Sequence, residues 1–389
     1  MVLIRKNTVV EKKLSTPLAG SWVLTVTLRS RKTNEQIFNF QQLTTKNTMK
    51  ILPFTKEIAI DLGTANTIII EDGRIAVEEP SVVAIRKTDD KMMAVGRKAA
   101  AMIGRGEDRI YTVRPLKKGV IADYKACEMM IRGLIDLIPH RTTLFKPSIK
   151  MVVCVPSGAT DAEMRIINDS CVHAGAKELY LIYEPMAAAL GMGFDVEGPD
   201  GCMVVDIGGG TTEIAVMSLG CIVVNKSITV AGDALNKDII QHMDQVHGMR
   251  ISEPTAERIK MNVGAAMTDL KEPPQDMEVV GPNKSTDLPL KVNISYKEIA
   301  QCLDKNITNI EDAILQALGQ TPSELYADIV RNGIYLTGGG ALLQGLAERL
   351  SKKMTIEFHI AEDPLHSVAK GTGIALKCMQ KISFLIHGF

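Results

Sequence analysis

Two stretches of the chain share one pattern of apolar and polar positions. From Glu57 to Glu71 an apolar run, Ile58 to Ile60, ends in Asp61; Gly63 and Thr64 follow, and a second apolar run starts at Thr67. From Met203 to Glu213 the run Met203 to Val205 ends in Asp206; Gly208, Gly209 and Gly210 follow, then Thr211 and Thr212, then the apolar run Ile214 to Met217. Each reads as two strands joined by a glycine turn rather than as a glycine loop opening a helix. Further buried strands are predicted at Met151 to Val155 and Leu179 to Ile182, and an apolar run at Ile334 to Leu336. Helical periodicity lies between them. Asp123 caps a stripe of Ala126, Met129, Met130, Leu134, Leu137 and Ile138; other helices are predicted over Asp161 to Ala174, Ala234 to Val246, Pro254 to Ala266 and Ser295 to Leu318, and a last pattern at Leu342, Leu343, Leu346 and Leu350. Alternating strands and helices imply an α/β protein with a partly parallel, helix-covered sheet. Lys271 to Pro289, rich in proline and alternating charge, reads as a surface loop.

Length and composition narrow this picture. At 389 residues the chain exceeds what one hydrophobic core serves, so two domains are expected. A hydrophobic content of 46% with 45 basic and 45 acidic residues is that of a soluble globular protein. Zero formal net charge argues against a nucleic-acid partner and gives little repulsion against self-association. The seven cysteines show no paired spacing, which suits a reducing cytoplasm. The apolar piece Trp22 to Leu28 is too short to span a membrane and lacks the form of a signal peptide. Residues 1–52 read as an extension that either lacks fixed structure or arises from a start assigned upstream of Met49.

The repeated device has a chemical reading. Glycines let backbone N–H groups converge on an anionic oxygen, threonine hydroxyls add donors, and an aspartate at the strand end can hold magnesium directly or through water. One copy is also compatible with a plain hairpin. Two copies suggest two related halves gripping one nucleotide from opposite sides. A third cluster, Gly338, Gly339 and Gly340, follows the Ile334 to Leu336 run and can pack a helix start against a ring or ribose-phosphate. Glu184, before Pro185 at a strand end, can orient or deprotonate an attacking water; the plainer alternative is a helix-start acid that interacts only with amides.

The strings Asp61 to Thr67, Gly119 to Tyr124, Leu144 to Pro147, Glu184 to Ala189, Asp206 to Glu213, Thr255 to Arg258, Thr337 to Gly340 and Val368 to Gly373 stand in the order found in the actin superfamily. From about Phe54 to Leu376 the chain resembles the MreB-type bacterial actins in particular. The resemblance implies an actin-like ATPase fold of two related domains, each a mixed sheet covered by helices with a small inserted subdomain. Domain I would be 53–188 plus 366–389 with its insert near 85–118, and domain II 189–365 with its insert near 232–294. ATP and Mg2+ would be the ligands. Gly63, Thr64, Ala65, Asn66, Gly208, Gly209, Gly210, Thr211 and Gly338 to Gly340 would bind nucleotide, Asp61 and Asp206 the metal, and Glu184 would be catalytic. Glu257 and Lys260 would line adenine and ribose, although their spacing also suits a solvated ion pair. Tyr183 departs from a family pattern that often carries a second Glu there. Leu144 and Phe145 match a membrane-inserting loop, flanked by Arg141 and Lys146 for anionic head groups; the same pair suits ordinary core packing. The implied protein is cytoplasmic and peripheral to the inner membrane. It forms head-to-tail filaments and works with the cell-wall elongation machinery in setting rod shape. A chaperone of the superfamily needs a peptide-binding domain beyond the connecting helix, and a sugar kinase needs a catalytic aspartate for which no candidate stands out.

Overall fold

The computed structural model describes residues 8–14, 24–30, 55–105, 109–138, 148–379 and 384–387. It divides into two units, 1–52 and 53–389. In the first, Thr8–Leu14 pairs antiparallel with Leu24–Ser30, Thr8 opposite Ser30 and Leu14 opposite Leu24.

The second unit is built on two large sheets. One has six strands in the order Ile386–His387, Ala176–Tyr183, Ser148–Val155, Thr55–Leu62, Asn66–Glu71, Arg74–Pro80. The other has five: Cys221–Ile228, Thr212–Ser218, Cys202–Ile207, Ile334–Thr337, Phe358–Ile360. Each combines an antiparallel meander with parallel strands laid beside its first member: Ser148–Val155 runs parallel to Thr55–Leu62, and Ile334–Thr337 parallel to Cys202–Ile207. The parallel strands are buried on both faces, which is why their sequences are continuous apolar runs rather than alternating ones. The fold is thus a mixed α/β one with each sheet flanked by helices.

Helices form where their caps and stripes lie. Tyr124–Asp136 starts at Asp123, whose Oδ1 accepts from the Ala126 N–H at 3.0 Å. Asp161–His173 starts with a reciprocal capping box between Thr160 and Glu163. Leu137, counted in the apolar stripe from sequence, is 46% exposed because the helix ends at Asp136. Leu342, at 53% exposure, likewise lies in a short 3-10 turn, Gly339–Leu342, and the helix proper begins at Leu346.

One core joins the two sheets. Ala59, Ile68, Ile70, Val152 and Cys154 of the six-stranded sheet share it with Val204, Ala215 and Met217 of the five-stranded sheet. Between them lie two helices of small residues, Glu184–Gly191 and Ser367–Cys378. Smaller elements decorate this frame: a three-stranded sheet of Met92–Val95, Val83–Arg86 and Ile110–Val113, and a hairpin of Met277–Pro282 with Pro289–Ile294. The hairpin corrects the reading of 271–289 as loop throughout. Val279 is fully buried while its neighbours are open, and a one-sided strand of six residues is easily masked by flanking prolines.

Candidate functional site

The glycine turns of the two hairpins meet. A methyl group placed on Gly209 would stand 2.7 Å from Ala65 Cβ, and one on Gly210 would stand 2.7 Å from Thr64 Oγ1. Only glycine lets the backbones approach so closely. The first turn is fastened by Ser81, whose hydroxyl donates to the Gly63 carbonyl at 2.6 Å and contacts Thr67 Oγ1 at 2.8 Å. The second closes on itself through Gly208 N–H to the Thr211 carbonyl, 2.9 Å. Gly119, at φ 77°, lies between the turns: its N–H donates to Thr64 Oγ1 at 3.2 Å, and a Cβ there would meet Thr211 Cγ2 at 2.7 Å.

Four carboxylates gather behind the turns. Asp206 is 7% exposed, and the antiparallel register sets Glu213 directly opposite it, so both side chains lie on one face. Asp61 and Glu184 keep partial access to solvent. Glu184 opens its helix after Tyr183, with Pro185 next, so it stands at the junction of strand and helix. Burial pushes the Asp61 carboxyl up to about 6, against the lowering effects of the Cys154 thiol, which donates to its Oδ1 at 3.2 Å, and of His366. Burial, then the charges of Asp61 and Glu213, push Asp206 up to about 7. Glu184 is driven well above the ordinary carboxylate range by burial first, then by Glu213, Asp206 and Asp61. These acids therefore feel one another across the two hairpins.

The third glycine cluster packs against the same strand end. Gly338, at φ 77°, is so close to Asp206 that a Cβ would stand 2.4 Å from its Oδ1. Gly340 lies over Ile207, and Gly339 opens the 3-10 turn. Glu257 and Lys260 also converge on the second turn. Lys260 Nζ donates to the Gly232 carbonyl at 3.2 Å and pairs with Glu257 at 2.8 Å, while Gly232 N–H donates to the Gly208 carbonyl at 3.1 Å. Asn66 is exposed at the start of its strand. Leu144 and Phe145 lie outside the described residues.

Three groups at the site carry no assigned role from sequence. Glu213 accepts from Ser227 Oγ at 2.6 Å and from the Ser157 hydroxyl, tying the second hairpin to the loop after Ser148–Val155. Its one sequence signal is an acid inside an otherwise apolar strand. Cys154 reads as a core residue until its neighbour across the sheet is known. Gly119 gives no sign of its partners, 55 residues away at Thr64.

Oxygen donors of this kind suit a hard, hydrated divalent cation, and carboxylates that raise one another's proton affinity are a set that such a cation would relieve. This gives a pH expectation. Asp61 and Asp206 are raised above their unfolded value of 3.8, so the stability they favour is present below about pH 4 and is lost as pH rises through about 6 to 7. Mg2+ with nucleotide should therefore raise the melting temperature more at pH 8 than at pH 5.5; equal shifts in differential scanning fluorimetry would contradict this.

A mixed two-sheet α/β frame with paired acid-and-glycine hairpins defines an actin-like protein. The sequence model of the MreB/Mbl protein family matches residues 55–384, and the chain belongs to that family. It is 44% identical over 329 residues to cell shape-determining protein MreB of Escherichia coli (strain K12), covering 83% of this chain and 94% of that protein. It is 40% identical over 330 residues to cell shape-determining protein Mbl of Bacillus subtilis (strain 168), covering 85% and 98%. Among solved structures, MreB5 of Spiroplasma citri bound to ADP matches with a TM-score of 0.78 at 33% identity, over 84% of this chain and 98% of that one. A MamK double helical filament matches at TM-score 0.69 and 17% identity over 84% of this chain and 99% of that one, a likeness of fold. Among the described residues no helix is long and apolar enough to cross a membrane.

Proposed function

We propose that this chain binds and hydrolyses ATP between the two hairpins and uses nucleotide state to control head-to-tail filament formation in cell-shape determination. The supporting observation is the meeting of the two glycine turns with Asp61, Asp206 and Glu184 behind them. Amides and hydroxyls of Gly63 to Asn66 and of Gly208 to Thr211 bind phosphate oxygens from the two lobes. Asp61 and Asp206 would hold hydrated Mg2+, whose charge would offset that of the triphosphate. Glu257 and Lys260, anchored beside Gly232, bound the ribose and adenine side; Gly338 to Gly340 form the opposite wall. Glu184, with its proton affinity raised by burial and then by its acidic neighbours, orients the attacking water and accepts its proton.

Loss of the γ-phosphoryl group removes the anion that both turns grip, so closure of lobes 53–188 plus 366–389 and 189–365 is linked to nucleotide state. A closed protomer then joins the next through a heterologous contact that does not close on itself. Cytoplasmic filaments lying along the inner membrane would organise the cell-wall elongation machinery. ATP-dependent pelleting and light scattering, followed with phosphate release, test this: polymer should appear with ATP and Mg2+ and not without nucleotide. Nucleotide-independent scattering would overturn the linkage.

Membrane attachment is assigned to Leu144 and Phe145 on the strength of the family resemblance. Replacing both with serine is expected to release the protein from anionic liposomes in a flotation assay. Unchanged flotation would remove the assignment.

A further inference from the structure

A second constellation lies away from the carboxylate cluster and is used by nothing above. His242 stands near the end of the helix Gly232–Val246, and His247 caps that helix. Gly248, at φ 60°, follows in the left-handed region that glycine adopts freely and ends the helical path. Glu298 stands in the first turn of the next helix, Tyr296–Gln320, its N–H held by Ser295 Oγ at 3.3 Å. The two helices pack through Leu235, Ile239 and Met243 against the core that holds Ile299 and Leu303, so the backbone under the three side chains is fixed.

Both imidazoles aim one nitrogen at one oxygen. His242 Nε2 lies 2.7 Å and His247 Nε2 2.5 Å from the same Glu298 Oε1, with the rings inclined at 72° and their centroids 5.8 Å apart. The three ligand atoms lie within 4.8 Å of one another, and all three side chains are partly buried. Burial opposes ionisation of Glu298, but hydrogen bonds from His242 and His247 outweigh it and hold the carboxyl below its usual range. One carboxylate oxygen is thus already shared by two imidazole nitrogens.

We propose that His242, His247 and Glu298 form a binding site for a divalent transition-metal ion of the zinc type. Two imidazoles and one carboxylate are the donor set of borderline ions such as Zn2+ and Co2+; Mg2+ and Ca2+ prefer all-oxygen sets. Metal–ligand bonds of about 2.0–2.1 Å in a tetrahedron put neighbouring donors roughly 3.3 Å apart. The donors must therefore separate by about 0.6–0.8 Å from their present hydrogen-bonded spacing, which soft rotation about the terminal imidazole and carboxylate torsions supplies. Each Nε2–H gives up its proton, to its own Nδ1 or to solvent, as the ion takes its place. Three protein ligands leave a fourth position for water or an outside donor. Binding would clamp the end of one helix to the start of the next and stabilise the fold by mass action.

The test is titration of the full chain with ZnCl2 after chelator treatment, in excess Mg2+ to occupy the carboxylate site. One ion per chain is expected, and His242→Gln, His247→Gln and Glu298→Gln should each weaken it at least about 100-fold, beyond the 10–100-fold usual for outer-shell losses. Unchanged affinity in these variants overturns the site. Should a variant fold poorly by circular dichroism, X-ray absorption on the Zn2+-loaded wild-type protein decides. Two imidazole nitrogens and a carboxylate oxygen support the proposal; a sulfur shell from the free cysteines, or no stoichiometric zinc, refutes it.

Discussion

Replacing Glu184 with alanine should leave Mg2+-ATP bound about as tightly as before while phosphate release falls by roughly 10²–10⁴-fold, the range removed with a general base. The reason for the split is positional. Glu184 belongs to neither glycine turn; it opens a helix of its own, and burial, then the charges of Glu213, Asp206 and Asp61, act on its carboxyl. Its removal takes no donor from either turn and no acid from the Asp61 and Asp206 pair, so metal-nucleotide affinity should hold. Glu184→Gln, which keeps the shape and removes the base, should behave alike in turnover. Fluorescent-nucleotide binding and single-turnover phosphate release separate the two effects. Retained turnover in both variants would exclude Glu184 as the catalytic group and return it to a helix-start role.

The largest structural effect is expected at Gly371 and Gly191. A Cβ on Gly371 would lie 1.7 Å from the Ala187 carbonyl oxygen, and one on Gly191 would lie 1.8 Å from the Ser367 carbonyl oxygen. Both clashes are with backbone, which cannot rotate aside. Either alanine must push Ser367–Cys378 away from Glu184–Gly191, in the core that joins the two sheets. The cost should be at or above the upper end of the 1–3 kcal/mol usual for overpacking, lowering the melting temperature by roughly 5 °C or more. Because each substitution separates the same two helices, the double variant should lose less than the sum of the singles. Glu184 sits at the start of the displaced helix, so ATP turnover should fall along with stability. Calorimetry showing additive losses, or singles as stable as wild type, would contradict a shared contact.

The small residues of Ser367 to Leu376 point to close helix packing when read alone, but no sequence rule says that their partner is Ala187 and Gly191. Lone glycines in a helix have many explanations; a position where a Cβ would stand 1.7 Å from a backbone oxygen has one. The acids behave likewise. Asp61 and Asp206 stand out because each ends an apolar run before glycine, a local pattern. Glu213 was passed over because its meaning comes from the strand register that seats it opposite Asp206. Met277–Pro282 is not legible locally because tertiary burial of Val279 on one side outweighs the turn signals of the prolines around it.

Local order was therefore settled by the amino-acid sequence: apolar periodicity marks strands and helices, capping residues start them, and the doubled Asp-Gly-Thr device marks where chemistry gathers. Which residues face one another was decided by the tertiary structure alone. Thr64 meets Gly210, Cys154 meets Asp61 and His242 meets Glu298 because packing of two sheets and their helices brings together positions that no periodicity connects. Periodicity reports on neighbours within a few residues, whereas charge coupling and close backbone approach depend on distances set by the whole core.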